Sequence, residues 1–314
     1  MRTLKDFLVL YLKGLAMGTA DVIPGVSGGT IAFITGIYDE LIGSIRSINL
    51  QLFKKLLSGK IREFWKDLNG NFLLSVLAGV ATSLISLAGL MSWLLSTYPI
   101  QVWSFFFGLI LVSAPMIFRD IPKWNLGVYG SLVLGIIIAY VITVMTPTET
   151  PTHLLFIFFC GALAICAMIL PGISGAFILL LIGKYQYMID ALISLNLPVI
   201  LVFVAGCAIG LTAFSHFLNW LLTGYRSATL ALLAGFMLGS LNKVWPWKQV
   251  TEWRLNHDGQ QVPAFDRSVW PWNYVELTGN EPQLLQAILF CLFGIFLVVG
   301  IEKFAAFLRT KTQA

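Results

Sequence analysis

From residue 68 to residue 118 the chain runs 51 residues without a single Asp, Glu, Lys or Arg. Further uncharged stretches cover 125–148, 150–183, 191–225 and 282–301. Crossing a bilayer core of ~30 Å takes ~20 apolar residues in a helix. Strands of a membrane barrel would instead alternate in character over ~10 residues. Charged residues make up 11% of the chain and hydrophobic ones 58%, against roughly 25% charged in soluble domains. The chain is therefore expected to be an all-α polytopic membrane protein. Its formal net charge of +5 does not point to nucleic acid. The basic residues sit in loops beside apolar spans, where they set orientation.

Cys160, Cys166, Cys207 and Cys291 all lie inside apolar segments and read as small buried hydrophobes, not as disulfides or metal ligands. Arg2 and Lys5 precede an apolar stretch, as in a secretory leader, but that stretch runs into Asp21 and Pro24 and its motif recurs internally. It is expected to stay in the mature chain.

The recurring motif is Pro-Gly-x-Ser-Gly, in DVIPGVSGGT at 21–30 and MILPGISGAF at 168–177. A constant offset of 147 pairs Pro24 with Pro171, Gly25 with Gly172, Ser27 with Ser174 and Gly28 with Gly175. The same offset pairs Gly14 with Gly161, Ile31 with Ile178, Gly36 with Gly183 and Tyr38 with Tyr185. Beyond the basic loop the offset becomes 127, pairing Ala78-Gly79 with Ala205-Gly206, Trp93-Leu94-Leu95 with Trp220-Leu221-Leu222, and Tyr98 with Tyr225. Gly108 with Gly235 and Ser113 with Ser240 extend it. Two ungapped registers of this length indicate a duplication, with one repeat over 1–148 and the other over 149–314.

Loop charge then orients the repeats. The loop 46–67 holds Arg46, Lys54, Lys55, Lys60, Arg62 and Lys66 against Glu63 and Asp67, which places it in the cytoplasm, as do Arg2 and Lys5 for the N-terminus. Between these flanks lie two arms, 7–20 and 30–45, each only ~21–24 Å long as helices. That is too short for a ~30 Å core, so 7–45 is expected to be a re-entrant hairpin with PGVSGG at its tip. Three spans follow over 71–145. The connector at 146–153 carries Glu149 and no Lys or Arg, so the second hairpin, 154–195, enters from the outer side. Three more spans over 199–299 bring the C-terminus, with Lys303, Arg309 and Lys311, back to the cytoplasm. An odd number of spans per copy inverts the second repeat. The outer loop 243–281, with Trp245, Trp247, Trp253, Trp270 and Trp272, reads as a small folded flap with interfacial aromatic anchors or as a lid over a substrate entrance.

Two hairpins entering from opposite faces bring their tips together near the midplane, where inverted-repeat transporters place binding sites at broken helices. Free N–H groups at the start of each second arm, with the helix dipole behind them, favour an anion. Glycine permits close approach of ligand to backbone. The candidate anion-binding residues, for a phosphate or a carboxylate, are Gly25, Ser27, Gly28, Gly29 and Thr30 with Gly172, Ser174 and Gly175, while Pro24 and Pro171 set the turns. The plainer alternative is a tight turn with Ser as a helix cap. Asp21, an intramembrane carboxylate, is the candidate for coupling to H+ or Na+; its alternative is a fixed cap or an ion-pair partner of Lys13 or Arg119. Lys13, Lys184 and Arg119 are candidates for headgroup attraction, against simple snorkelling. No cofactor or metal is expected.

The stretches ADVIPGVSGGTIAFITGIYDELI at 20–42 and LPGISGAFILLLIGKY at 170–185 resemble the bacterial polyprenyl-phosphate transporter family, over essentially the whole chain. The resemblance implies a translocase of undecaprenyl phosphate in the bacterial cytoplasmic (inner) membrane. Such a protein returns the C55 lipid carrier to the cytoplasmic leaflet for peptidoglycan and other envelope polymers. The lipid substrate rests on this resemblance; the residues themselves argue only for an anion. The implied partners are the prenyl-phosphate lipid and the bilayer, and a homo-oligomer is compatible with the sequence. The second copy departs from the first, with Met168 for Asp21 and Ala176-Phe177 for Gly29-Thr30. Two rival readings use the same residues. One is a transporter or channel for a small soluble anion. The other is an intramembrane serine protease using Ser27 or Ser174 with His216 as base, which the repeat disfavours because Gly89 stands opposite His216.

Overall fold

The structure is a computed structural model that describes residues 2–21, 27–145, 150–255 and 261–313. Its helices fall in the order α1 (Leu4–Asp21), α2 (Gly28–Ile34), α3 (Tyr38–Arg46), α4 (Leu50–Leu57), α5 (Ile61–Asp67), α6 (Gly70–Thr97), α7 (Pro99–Phe118) and α8 (Leu126–Val144). They continue with α9 (Leu154–Ile169), α10 (Gly175–Leu181), α11 (Tyr185–Ile193), α12 (Leu197–Gly224) and α13 (Arg226–Ser240). Strands β1 (Lys248–Leu255) and β2 (Gln261–Ser268) then precede α14 (Pro271–Thr278) and α15 (Leu284–Gln313). Among the described residues three helices, α7, α8 and α12, are long and apolar enough throughout to cross a membrane, and α6, α9 and α15 contain shorter apolar stretches. This is a helical membrane protein.

The boundaries are written locally. Asn125 and Asn196 accept from the backbone N–H groups of Val128 and Val199, capping α8 and α12, as short polar side chains do at helix starts. Pro occupies the first turn of α7 and of α12, where its missing N–H costs nothing. The arm expected as one helix over 30–45 is broken into α2 and α3, and its counterpart is broken into α10 and α11. The breaks fall at Gly36 (φ 71°) and Gly183 (φ 65°), a left-handed backbone that favours glycine. The first arm is also longer than the sequence suggested, because α1 starts at Leu4 and reaches Asp21.

Helix packing occurs in matching pairs. α1 lies on α6 so closely that a Cβ on Gly14 would sit 2.1 Å from the Val76 carbonyl oxygen, and one on Gly79 2.1 Å from that of Tyr11. α9 lies on α12 in the same way: Gly161 faces the Phe203 carbonyl oxygen at 2.3 Å and Gly206 faces that of Phe158 at 2.0 Å. Small residues at such crossings let helix backbones approach in lipid. At the turns entering α7 and α13, Tyr98 and Tyr225 share a backbone conformation (φ −130°, ψ 51° and φ −132°, ψ 43°). Each tyrosine makes an edge-on contact with a tryptophan four or more residues earlier, Trp93 at 5.7 Å and Trp220 at 5.5 Å.

The last spans are exchanged between the two halves. α8 packs on α13 from the second half, through Gly135 against the Leu232 carbonyl oxygen and Gly235 against that of Leu132, both 2.3 Å from an added Cβ. α15 packs on α7 from the first half, through Gly108 against Cys291 and Gly294 against Phe105 at 2.1 and 2.3 Å. α7 and α13 contact each other at the centre and carry much of the buried core. Sequence register gave no sign of this exchange.

The 243–281 segment adds a feature the all-α reading lacks. β1 and β2 form an antiparallel pair with a bulge near Glu252, followed by α14. Trp247 is buried with Tyr274 and Ile100 and Trp245 packs against them, while Trp253, Trp270 and Trp272 are exposed. The flap is thus folded, with two tryptophans holding it to the bundle and three facing outward.

The close approaches make a direct prediction. Gly206→Val should force α9 from α12 and lower stability by about 1–3 kcal/mol, the usual cost of overpacking. Gly130→Ala, where nothing lies within 4 Å, should leave stability unchanged or slightly raised. Thermal unfolding of the two variants in detergent compares them.

Candidate functional site

The two Pro-Gly-x-Ser-Gly loops meet. Pro24 and Gly25 lie outside the described residues; the rest of the first loop can be followed from Ser27. Ser27 has an extended backbone and its Oγ accepts from Gly29 N at 3.1 Å, capping α2. The same Oγ donates across to the second loop, to the carbonyl oxygens of Met168 (3.1 Å) and Leu170 (3.3 Å). Thr30 Oγ1 accepts from Gly172 N at 2.8 Å. Ser27 and Thr30 are almost completely buried. A Cβ on Gly29 would lie 2.5 Å from the Ile169 carbonyl oxygen, so only glycine allows the loops to touch there.

Asp21 closes the first loop on itself. Its Oδ1 accepts from Gly28 N at 2.7 Å, which joins the end of α1 to the start of α2 and places a carboxylate on the positive end of that short helix. In the second loop Gly172 (φ 86°) turns the chain after Pro171, against the Phe236 carbonyl oxygen. Ser174 caps α10 through a long contact from Phe177 N, 3.4 Å, and Gly175 packs on the Ala164 carbonyl oxygen.

The other basic candidates are not gathered at the loops. Lys13 Nζ donates to the Thr35 carbonyl oxygen at 2.6 Å, at the far end of α2, ~10 Å of helix from the loop. Lys184 is buried and donates to the Thr150 carbonyl oxygen at 2.6 Å, beyond the end of α10. Arg119 follows the end of α7. His216 Nδ1 bonds the Thr212 carbonyl oxygen of its own helix at 2.8 Å, while Ser27 is spent on the second loop and Ser174 on its own helix. Nothing in this arrangement pairs a serine with a base.

A basic residue that the sequence reading left in the flap does reach the site. Lys243 lines a narrow recess with Gly172, Ser174, Phe177 and Thr143. The recess has room for roughly one water molecule. Lys243 Nζ stands 4.6 Å from the centre of the Phe177 ring and 3.2 Å from Asp266 of β2. Lys248 pairs with the same carboxylate at 3.0 Å. Burial pushes the Lys248 ammonium down to about 8, with Asp266 opposing the shift. Burial would raise the Asp266 carboxyl, but Lys248 and Lys243 outweigh it and hold it below its ordinary value. The signal for Lys243 was present in the sequence: it ends the uncharged stretch 227–242, three residues past the end of α13.

Taken together, these features define a polytopic helical membrane protein organised around two apposed, serine-capped polar loops. Residues 17–262 match the family model described as undecaprenyl phosphate translocase-like. A polyprenyl-phosphate transporter of Vibrio cholerae is 50% identical over 300 residues, covering 96% of this chain and 97% of its own. A polyprenyl-phosphate transporter of Staphylococcus aureus is 36% identical over 254 residues, 75% of this chain and 85% of its own. The chain belongs to the undecaprenyl phosphate translocase-like family. No solved structure matches it.

Thr30 tests the junction between the loops. Thr30→Val keeps the shape but leaves the buried Gly172 N–H without its acceptor, which should cost about 1–3 kcal/mol. Thr30→Ser should retain most of that stability. Chemical or thermal unfolding in detergent micelles reads the difference.

Proposed function

We propose that the protein translocates undecaprenyl phosphate from the outer to the cytoplasmic leaflet of the bacterial inner membrane, holding the phosphate between the two loops. Supporting the substrate are the two named relatives and the family match. One structural observation carries the mechanism: the polar groups suited to a phosphate are bonded to the opposite loop. Ser27 Oγ donates to the Met168 carbonyl oxygen, and Thr30 Oγ1 accepts from Gly172 N. In this conformation the recess is too small for a phosphate group. Separating the loops exposes the Ser27 hydroxyl, the Thr30 hydroxyl and the Gly172 N–H together, and a phosphate entering between them replaces the lost bonds. Gly25, Gly28, Gly29, Ser174 and Gly175 complete the cradle, while Pro24 and Pro171 fix its turns.

On this reading the repeats 1–148 and 149–314 are inverted copies, with hairpins 7–45 and 154–195 entering from opposite faces and both termini cytoplasmic. The matched glycine contacts and matched tyrosine turns favour the duplication. Rocking one half against the other opens the junction alternately to each leaflet, the general mode of inverted-repeat carriers. The phosphate crosses through the polar junction while the prenyl tail stays in hydrocarbon.

Asp21 gives the coupling. A proton or Na+ on its carboxylate weakens its hold on Gly28 N, which releases that N–H toward the substrate. The second loop has Met168 here, so the coupling belongs to the first loop alone. Lys13 and Arg119, on the first hairpin arm and at the end of α7, are suited to drawing headgroups from the interfaces, whereas Lys184, expected to do the same, is buried against the Thr150 carbonyl oxygen.

Leaflet-resolved flipping of a labelled polyprenyl phosphate in proteoliposomes tests this. Ser27→Ala should slow flipping by about tenfold or more, the value of one hydrogen bond to a charged group. Asp21→Asn should flip without dependence on a proton or sodium gradient. A wild-type protein that moves inorganic phosphate and no lipid would instead favour the soluble-anion carrier.

A further inference from the structure

Among the described residues, the flap holds an unbalanced charge. Lys243, Lys248 and Asp266 are brought together with side-chain exposures of 13%, 10% and 24%, two ammonium groups against one carboxylate. Buried charge is costly unless it is compensated, and the faces of Phe177 and Trp103, 4.6 and 5.5 Å from Lys243 and Lys248, compensate it only in part. The surplus positive charge is held in place. Lys243 N donates to the Ser240 carbonyl oxygen, Asn242 Nδ2 to Thr143 Oγ1 at 2.8 Å and Ser268 Oγ to the Asn242 carbonyl oxygen at 3.0 Å. These bonds tie the segment before β1 to α8 and to the end of β2. The same residue lines the recess with Gly172 and Ser174.

We infer that Lys243 is the residue that captures the phosphate headgroup on the flap side of the paired loops, with Asp266 as its resting partner. This deepens, and rests on, the transport reading above. An incoming phosphomonoester displaces Asp266 from Lys243, and Asp266 stays paired with Lys248, so each charge keeps a partner throughout. Ser174 and the Gly172 turn lie next along the recess, placing the captured phosphate at the second loop. β1 and β2 then have a specific purpose: they hold the exchangeable carboxylate. Under the 127 offset Lys243 corresponds to Met116, so the first half has no such residue at the matching position.

The test is binding of a fluorescent short-chain prenyl phosphate to the full-length protein in nanodiscs, with the matching prenol as the uncharged probe. Lys243→Gln leaves Lys248 and Asp266 as a one-to-one pair. It should weaken prenyl-phosphate binding by about tenfold or more, the value of one charge-assisted bond, and leave prenol binding unchanged. Lys243→Arg should restore phosphate binding. Asp266→Asn, which removes the competing carboxylate, should tighten it at mildly acidic pH, where both ammonium groups are charged. Inorganic phosphate should compete only at far higher concentration. The inference is overturned by wild-type affinity in Lys243→Gln, by equal losses for prenol and prenyl phosphate, or by unchanged or weaker binding in Asp266→Asn. Competition by inorganic phosphate at equal concentration would overturn the lipid assignment of the capture site. Wild-type protein that binds no prenyl phosphate would defeat the transport reading itself, whereas normal wild-type binding with an unaffected Lys243→Gln would defeat only the role of Lys243.

Discussion

The structure depends on the hydrogen bonds that join one loop to the other. A helix broken inside an apolar bundle leaves backbone groups that no water can satisfy, and such breaks survive only where protein or a wet cavity supplies partners. Here each loop supplies the other. Ser27 gives its hydrogen to carbonyl oxygens at the end of α9, and Thr30 takes the N–H of Gly172. The glycines at 28, 29 and 175 are small because Asp21, Ile169 and Ala164 stand where their side chains would go. Loops that complete each other in this way are rigid when joined and strongly polar when parted.

Much of the helical order was legible because it rests on local chemistry. Uncharged runs located the long helices, and the two offsets aligned turns that share backbone angles to within about ten degrees, as at Tyr98 and Tyr225. What could not be read depends on contacts between distant segments. Nothing in the small residues along α8 or α15 says which helix each will cover. The β1–β2 pair escaped notice because a folded flap and an irregular one share the same tryptophans. The inter-loop bonds were hidden for a related reason: Ser and Thr beside glycine suit a ligand as well as a neighbouring loop. Lys243 was read with the flap that follows it, although its side chain belongs to the bundle.

The two serine caps, Ser27 and Ser174, are alike in backbone (φ −122°, ψ 131° and φ −99°, ψ 127°), and their surroundings differ in charge. Asp21 is bound to the first, in contact with Gly28 N; Lys243 stands beside the second, near Gly172 and Ser174. Under the 147-residue offset single positions differ, Asp21 against Met168 and Thr30 against Phe177. A symmetric pair of loops would treat both directions of approach alike. This pair presents a carboxylate on one side of the junction and an ammonium on the other.

The exchanged spans bear on how the protein is made. As the chain leaves the ribosome, α8 enters the membrane before α13, the helix it will cover, exists, and α7 waits for α15. Neither half can by itself cover the glycine-lined faces of its last two long helices, so membrane insertion and final packing are separated in time. The glycine-lined face of α7 stays uncovered until α15, the final helix, arrives.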